Sequence, residues 1–252
     1  MSIYPPSEVA RVICFHGFPG HPTDWDSLAE ALGKSYELFS VPMPWLRSVE
    51  ANELSLQQII NYCAVIVDEY AQSTTHIIGH DLGGLACWWL GQSKLKSRIT
   101  SLSIISCPHP AAYRSFAASP EYKSQESYRN AIFDSPETLG GRIRDKAPLA
   151  RDQIALGLAE TAIERLRPMY RQIEATAQTS DQRLPALPKM PVSLISNRDD
   201  HAIGPSTVTD TAALFERAIP HLQLEDPGHF PHLVQTKHVA NFLREFWNDK
   251  TQ

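Results

Sequence analysis

Short apolar runs alternate with longer amphipathic stretches along most of this 252-residue chain. The runs are rich in β-branched residues and are bounded by Gly, Pro, Asn or Ser, a pattern that predicts strands. They are RVICFHG from Arg11, YELFSV from Tyr36, THIIG from Thr75, ITSLSIIS from Ile99, PVSLIS from Pro191 and LQLED from Leu222. Because helical stretches separate them, we expect an α/β fold, with a mostly parallel sheet of these six strands flanked by helices.

A helix is predicted between the second and third strands, over LSLQQIINYCAVIVDEY. Ser55 and Gln58 have the spacing of a capping box, which marks a helix start. The apolar positions recur at helical spacing and share one face. They are Leu56, Ile59, Ile60, Cys63, Ile66, Val67 and Tyr70.

The regular alternation stops between Pro108 and Lys189, a span of about 80 residues that is too long for one simple crossover. It contains a long helical pattern, RDQIALGLAETAIERLR, and its exit RLPALPKMP has three prolines and is expected to be stiff. We therefore predict an α/β core over residues 1–107 and 190–252, with an inserted helical cap over residues 108–189.

Composition points to a small-molecule partner. The net charge is −5 with 20% charged residues and no basic cluster, so neither nucleic acid nor an anionic membrane is an expected partner. No apolar stretch approaches the roughly 20 residues that cross a bilayer. The start, MSIYPPSEVA, lacks the pattern of a secretory signal, so a cytoplasmic location is expected.

The first candidate for chemistry is GHDLGG, Gly79 to Gly84, directly after the third strand. A strand that turns abruptly into a helix brings backbone segments too close for side chains at the two glycines that flank Asp81. Such a turn lifts its central residue into a site. Alone, it is also compatible with a purely structural turn, although the phosphate-binding patterns GxxxxGK and GxGxxG are absent.

Three further motifs follow strands. HGFPG begins at His16 after the first strand, SNRDDHAIGP begins at Ser196 after the fifth, and DPGHFPHL begins at Asp226 after the last. Open α/β sheets place their sites at these carboxyl ends. The resulting chain order is nucleophile, acid, histidine.

On these motifs the chain resembles the α/β-hydrolases, in the branch with an aspartate nucleophile. HGFPG, GHDLGG, SCPHPAAY and PGHFPHL are most similar to the epoxide hydrolases, and the resemblance extends from Arg11 to Phe246. It implies a hydrolase that opens an epoxide to a diol through an alkyl ester on Asp81.

The chemistry of a carboxylate nucleophile agrees with this. Attack on a carbonyl would form a high-energy anhydride, whereas attack of Asp81 on an sp³ carbon gives an ordinary ester. Water activated by His229 would then cleave that ester. Asp200 is the predicted acid that orients His229 if Asn197, in left-handed geometry, replaces the glycine that family members carry three residues earlier. Asp199 is the alternative.

Backbone N–H groups of Phe18 and Leu82 are predicted to form the oxyanion hole. The resemblance also implies two cap tyrosines that donate hydrogen bonds to the epoxide oxygen. Tyr170, in PMYRQ, is the first, and Tyr128 is predicted as the second. Tyr113 and Tyr122 remain alternatives to Tyr128.

The other histidines are interpreted as structural. His16, His80 and His109 are expected to make hydrogen bonds rather than to react. HFPH places His229 and His232 three residues apart, but there is no HExxH and no cysteine cluster, so we expect no metal and no cofactor.

Two departures from the resembled family bear on assembly and substrate. The strand hairpin that normally precedes the first central strand is expected to be absent or reduced to a few residues, so the sheet edge is expected to be exposed or covered by a second subunit in a homodimer. The turn after the second strand has PMPWLRSVEANELS in place of RGxGxS, so Trp45 and its neighbours are expected to affect the choice of an apolar small-molecule substrate.

Two other functions fit the same motifs. A dehalogenase would use the same Asp-His-Asp triad, but Phe18, Leu82 and Leu85 offer no side-chain donor to a halide or a haloacid. A catalytically silent protein of this fold would hold a ligand only. The complete set of Asp81, Asp200 and His229 argues against a silent protein.

Overall fold

One parallel sheet organises the protein. The computed structural model describes residues 9–18, 20–46, 54–117, 119–120, 184–198, 200, 202–203, 205–225 and 228–249, with positions 166, 168–169, 171 and 173. The strands are β1 (Ala10–Phe15), β2 (Tyr36–Val41), β3 (Thr75–His80), β4 (Ser101–Ile105), β5 (Val192–Asn197) and β6 (His221–Leu224). Their spatial order is β2-β1-β3-β4-β5-β6, and every pair is parallel. Each predicted run overlaps one observed strand, which confirms the predicted fold class.

Helices cover both faces of this sheet. They are α1 (Asp26–Leu32), α2 (Leu56–Tyr70), α3 (Leu82–Leu90), α4 (Pro110–Ala117), α5 (Pro205–Ala213), α6 (Pro231–Val234) and α7 (Thr236–Asn248). Short 3₁₀ helices span Pro22–Trp25, Pro44–Leu46 and Lys94–Arg98. The predicted start of α2 is confirmed, because Ser55 Oγ accepts from the Gln58 amide at 3.2 Å and Gln58 Oε1 accepts from the Ser55 amide at 2.8 Å.

The core has two layers, one on each side of the sheet. Alternate residues of β1 belong to different layers: Ile13 and Phe15 face the layer that contains α2 and α3, and Val12 and Cys14 face the layer that contains α1 and α7. All four side chains are fully buried. This two-sided burial explains why the strands are continuous apolar runs rather than alternating ones.

The strand order places a crevice at one end of the sheet. After β2 the chain crosses back over β1 to form β3, so the loops that follow β1 and β3 diverge from a common point. Phe15, the last residue of β1, is in register with Gly79 near the end of β3. At the same end of the sheet, Asn197 of β5 is in register with Leu224 of β6. The loops after β1, β3, β5 and β6 therefore all start at the carboxyl end of the sheet.

The predicted cap, residues 108–189, lies mostly outside the described residues, so its boundaries remain a prediction. The homodimer is likewise a prediction. None of the helices in the described part of the chain combines the length and the apolarity needed to cross a membrane.

Candidate active site

Asp81 stands at the turn between β3 and α3. Its φ of 49° and ψ of −118° lie where residues with a Cβ are rarely found. A Cβ on Gly79 would lie 2.6 Å from Sγ of Cys87, and one on Gly83 would overlap the carbonyl group of Phe15. The prediction that close backbone approach requires glycine on both sides of Asp81 is therefore confirmed.

The loop after β1 supplies a hydrogen bond to this carboxylate. The backbone amide of Phe18 donates to Oδ2 of Asp81 at 3.0 Å, as the adjacency of β1 and β3 allows. Leu82 begins α3, so its N–H has no acceptor within the helix. These two amides are the predicted oxyanion donors, and their role in catalysis stays a prediction.

His229 lies between two carboxylates. Its Nδ1 is 2.9 Å from Oδ2 of Asp200, and its Nε2 is 3.6 Å from Oδ1 of Asp81. The other oxygen of Asp200, Oδ1, accepts from the backbone amides of Ala202 at 3.0 Å and Ile203 at 3.3 Å. Asp200 is therefore held on both oxygens, and it fixes the direction in which His229 points. Asp199 lies outside the described residues.

The expected left-handed geometry of Asn197 is wrong. In the described residues, positive φ angles outside glycine occur at Asp81 and Ser106. Asn197 instead ends β5 in extended conformation, with its Nδ2 donating to the carbonyl of Gly228 at 2.7 Å. Asp200 thus contacts His229 although Asn197 does not form the left-handed turn that the family resemblance implied.

The charges of the site favour an ion pair. Burial alone would lower the pKa of His229, but the carboxylates of Asp200 and Asp81 outweigh it and raise the pKa to about 10. Burial alone would raise the pKa of Asp81, but the imidazole of His229 and the Phe18 amide lower it below its usual value. The two shifts together favour a protonated His229 beside an ionised Asp81.

A family model described as the alpha/beta hydrolase family matches residues 12–240. The chain belongs to this family. The prediction of an α/β-hydrolase enzyme is thus confirmed at the level of the family. No curated protein sequence matches this hydrolase significantly.

Several solved structures that resemble this chain are epoxide hydrolases. One, described among novel epoxide hydrolases from hot-environment metagenomes, is 19% identical with a TM-score of 0.75, covering 97% of this chain and 92% of that chain. A mutant of an epoxide hydrolase from Bacillus megaterium, in complex with its diol product, is 15% identical with a TM-score of 0.72. The match covers 96% of this chain and 94% of that chain. A thermophilic esterase from Thermogutta terrifontis is 15% identical with a TM-score of 0.61, covering 94% and 89%. At such low identities, the structural likeness establishes the fold alone and does not establish the reaction.

His16 connects two loops of the hydrolase beside the site. Its Nδ1 donates to the carbonyl of Gly17 at 2.8 Å, and its Nε2 accepts from the amide of Met43 at 3.2 Å. Burial lowers the pKa of His16 to about 3, so the ring is neutral and its tautomer is fixed. The indole of Trp45, itself 2% exposed, packs edge-on against this ring at 5.4 Å. The hydrogen bonds expected of His16 are thus confirmed.

The roles of the cap tyrosines remain predictions. Tyr170, Tyr128 and Tyr122 lie outside the described residues, and Tyr113 lies in α4. Among the residues that are described, no group of three or more His, Cys, Asp or Glu side chains is arranged to hold a metal ion. His80 was expected to make a structural hydrogen bond and Asn197 to form a turn, but the sequence did not indicate that both side chains reach the loop of His229.

Proposed function

We propose that this protein opens an epoxide to a diol through a covalent alkyl ester on Asp81. The observation that carries the proposal is a carboxylate at the centre of the strand-to-helix turn, with Oδ2 bound by the Phe18 amide and Oδ1 facing Nε2 of His229. A carboxylate in this position favours attack on an sp³ carbon over attack on an ester carbonyl. The resemblance to epoxide hydrolases points to the same substrate class.

In the first step, Oδ1 of Asp81 attacks a ring carbon of the epoxide and the carbon–oxygen bond of the ring breaks. The ring oxygen takes a proton from a cap tyrosine, for which Tyr170 and Tyr128 are the candidates, and the imidazolium of His229 restores that proton. The step therefore leaves a neutral ester on Asp81 and a neutral imidazole. The Phe18 amide favours Oδ2 as the carbonyl oxygen of this ester.

In the second step, water attacks the carbonyl carbon of the Asp81 ester while Nε2 of His229 takes a proton from that water. Negative charge develops on Oδ2, where the amides of Phe18 and Leu82 can stabilise it. Collapse of the tetrahedral intermediate breaks the bond between this carbonyl carbon and Oδ1. Oδ1 stays bonded to the former ring carbon and leaves as one oxygen of the diol. The carboxylic proton passes to the departing alkoxide, and the resting carboxylate and imidazolium are restored.

The electrostatics of the site support this sequence of charges. In the resting state, the charge of Asp81 helps to keep His229 protonated. Formation of the ester removes that charge, so the pKa of His229 should fall when a base is needed. Asp200 keeps its contact with Nδ1 of His229 through both steps and continues to orient the imidazole.

The test is to trap the ester. His229→Gln is incubated with a panel of epoxides and halogenated alkanes, and the peptide that contains Asp81 is weighed by mass spectrometry. We expect an increment equal to the whole epoxide, and none in the double variant that also carries Asp81→Asn. An inactive wild type with no increment from any substrate would reject Asp81 as a nucleophile toward these compounds.

The same panel tests the other functions. A dehalogenase would leave an increment that lacks the halogen, and a silent protein would bind ligands without any increment. The side chains of Phe18 and Leu82, both apolar and nearly buried, give a halide ion no donor. An apolar small molecule as the substrate and a cytoplasmic location remain predictions from the sequence.

A further inference from the structure

The side chain of His80 reaches across the site to the main chain of His229. His80 ends β3, next to Asp81, and is 1% exposed. Its Nε2 lies 2.8 Å from the backbone oxygen of His229, a residue 149 positions later in the chain. A carbonyl oxygen only accepts, so Nε2 carries the hydrogen. Burial lowers the pKa of His80 to about 4, which keeps this donor in a neutral ring at physiological pH.

Asn197 makes a similar hydrogen bond to Gly228, the residue before His229. Its Nδ2 donates to the backbone oxygen of Gly228 at 2.7 Å, and Asn197 is also 1% exposed. Gly228 has a φ of 124°, which residues with a Cβ rarely adopt. The carbonyls of two consecutive residues are thus bound by side chains from two different strands, β3 and β5.

The contacts converge on the backbone that carries the candidate base. We define the base loop as residues 228–230. The ring of His80 also packs against the rings of His229 and Phe230, with centroids 4.7 Å and 4.9 Å away. Buried donors that lose their acceptor cost free energy, so these bonds resist displacement of the loop.

We propose that His80 and Asn197 are positioning residues that hold the base loop, so that the imidazole of His229 stays between Asp200 and Asp81. This inference rests on the proposed function, in which His229 acts as the base of the second step. Asp81 stands on the rigid turn after β3, so its attack on substrate does not depend on the base loop in the same way. Loss of either donor should therefore slow hydrolysis of the ester more than its formation.

The kinetic test separates the two steps in single turnovers. His80→Met removes one donor with a side chain of similar length, and Asn197→Leu removes the other with a side chain of the same branching, whereas His80→Gln keeps an N–H at a similar reach. We expect ester hydrolysis to slow by about 10- to 100-fold in the first two variants, since displacement of a catalytic group by an ångström can cost that much. Ester formation should change little, and His80→Gln should recover most of the rate.

His76→Met is the matched control, because His76 is a buried histidine of the same strand whose Nδ1 bonds Ser101 instead. It should not change the ratio of the two rates. Equal slowing of both steps in His80→Met and Asn197→Leu would overturn the proposal. So would a His80→Gln variant as impaired as His80→Met, because ring packing rather than the hydrogen bond would then account for the loss.

A second measurement needs no substrate. The proton between Nδ1 of His229 and Asp200 can be followed by NMR in the wild type and in each variant. We expect it to exchange with water at least about 10-fold faster in His80→Met and Asn197→Leu, and unchanged in His76→Met. Unchanged exchange in both donor variants would overturn the positioning role even if the ester forms. Faster exchange in a protein that never forms an ester would support the positioning role while rejecting the proposed function.

Discussion

The Nε2 atom of His229 lies 3.6 Å from Oδ1 of Asp81, beyond hydrogen-bonding distance but close enough for strong attraction between charges. The two groups act in different steps of the proposed reaction, since Asp81 attacks the substrate and His229 later activates water. At this separation each group shifts the pKa of the other, downward for Asp81 and upward for His229.

Replacement of Asp200 by Asn should stall the proposed reaction at the ester. The amide cannot stabilise the imidazolium, so hydrolysis should slow by about 10²- to 10⁴-fold, the usual range for general-base assistance. Ester formation, which uses Asp81 directly, should be less affected. Accumulation of modified protein in rapid-quench mass spectrometry checks this, and hydrolysis at the wild-type rate would contradict an orienting role for Asp200.

Removal of the charge on Asp81 should make His229 a weaker proton acceptor in the free protein. Asp81→Asn imitates the neutral ester, so the pKa of His229 should fall from its raised value of about 10. A titration of the ring nitrogens by ¹⁵N NMR measures the change. Asp68→Asn, on the exposed surface, serves as the control. The same His229 pKa in both variants would mean that Asp81 does not govern the base.

His229 should also tie stability to pH. Its pKa is raised on folding from 6.5 to about 10, so the folded state binds the proton more tightly than the unfolded state. The resulting stabilisation is fully present below pH 6.5 and is lost as pH rises toward 10. The difference in unfolding free energy between wild type and His229→Gln should shrink over that interval. A constant difference in urea titrations at pH 6, 8 and 10 would contradict the ion pair.

His232→Phe should stabilise the protein. His232 is fully buried and stacks on Trp25 at 4.6 Å, and among the described residues neither of its ring nitrogens has a hydrogen-bond partner. Phenylalanine keeps the stacking and removes two unsatisfied polar atoms, each of which costs about 1–3 kcal/mol when buried. Urea unfolding at pH 7 measures the gain, and His238→Gln, at an exposed position, should change little.

The gain from His232→Phe should grow as the solution becomes acidic. Burial lowers the pKa of His232 well below 6.5, so only the unfolded wild type takes up this proton as pH falls, and the wild type loses stability. Phenylalanine cannot titrate. A smaller gain at pH 5 than at pH 7 would show that His232 is protonated in the folded state.

Tyr170→Phe should lower the rate of ester formation from epoxides and leave hydrolysis of the ester little changed. The reason is that the proposed proton donor acts only on the ring oxygen, in the first step. Single-turnover rates of both steps decide the matter. Equal loss in both would argue that Tyr170 only packs.

The fold could be predicted because its signals are local. Apolar runs such as that of β3 and the capping pattern of Ser55 and Gln58 depend on neighbours in sequence. The meeting of His229 with Asp200 follows from strand ends that share one edge of a sheet. The conformation of Asn197 and the partner of His80 were not predictable, because each is decided by a loop that is distant in sequence.

The strand order has a consequence for how the molecule can be divided. Asp81 and the Phe18 amide belong to the stretch before residue 117, while Asp200 and His229 follow residue 184, and the two stretches meet where β4 pairs with β5. A chain cut between them would give two pieces, one with the proposed nucleophile and one with the proposed base. Under the proposed mechanism neither piece could complete a turnover alone, so diol formation from the mixture would report their reassembly.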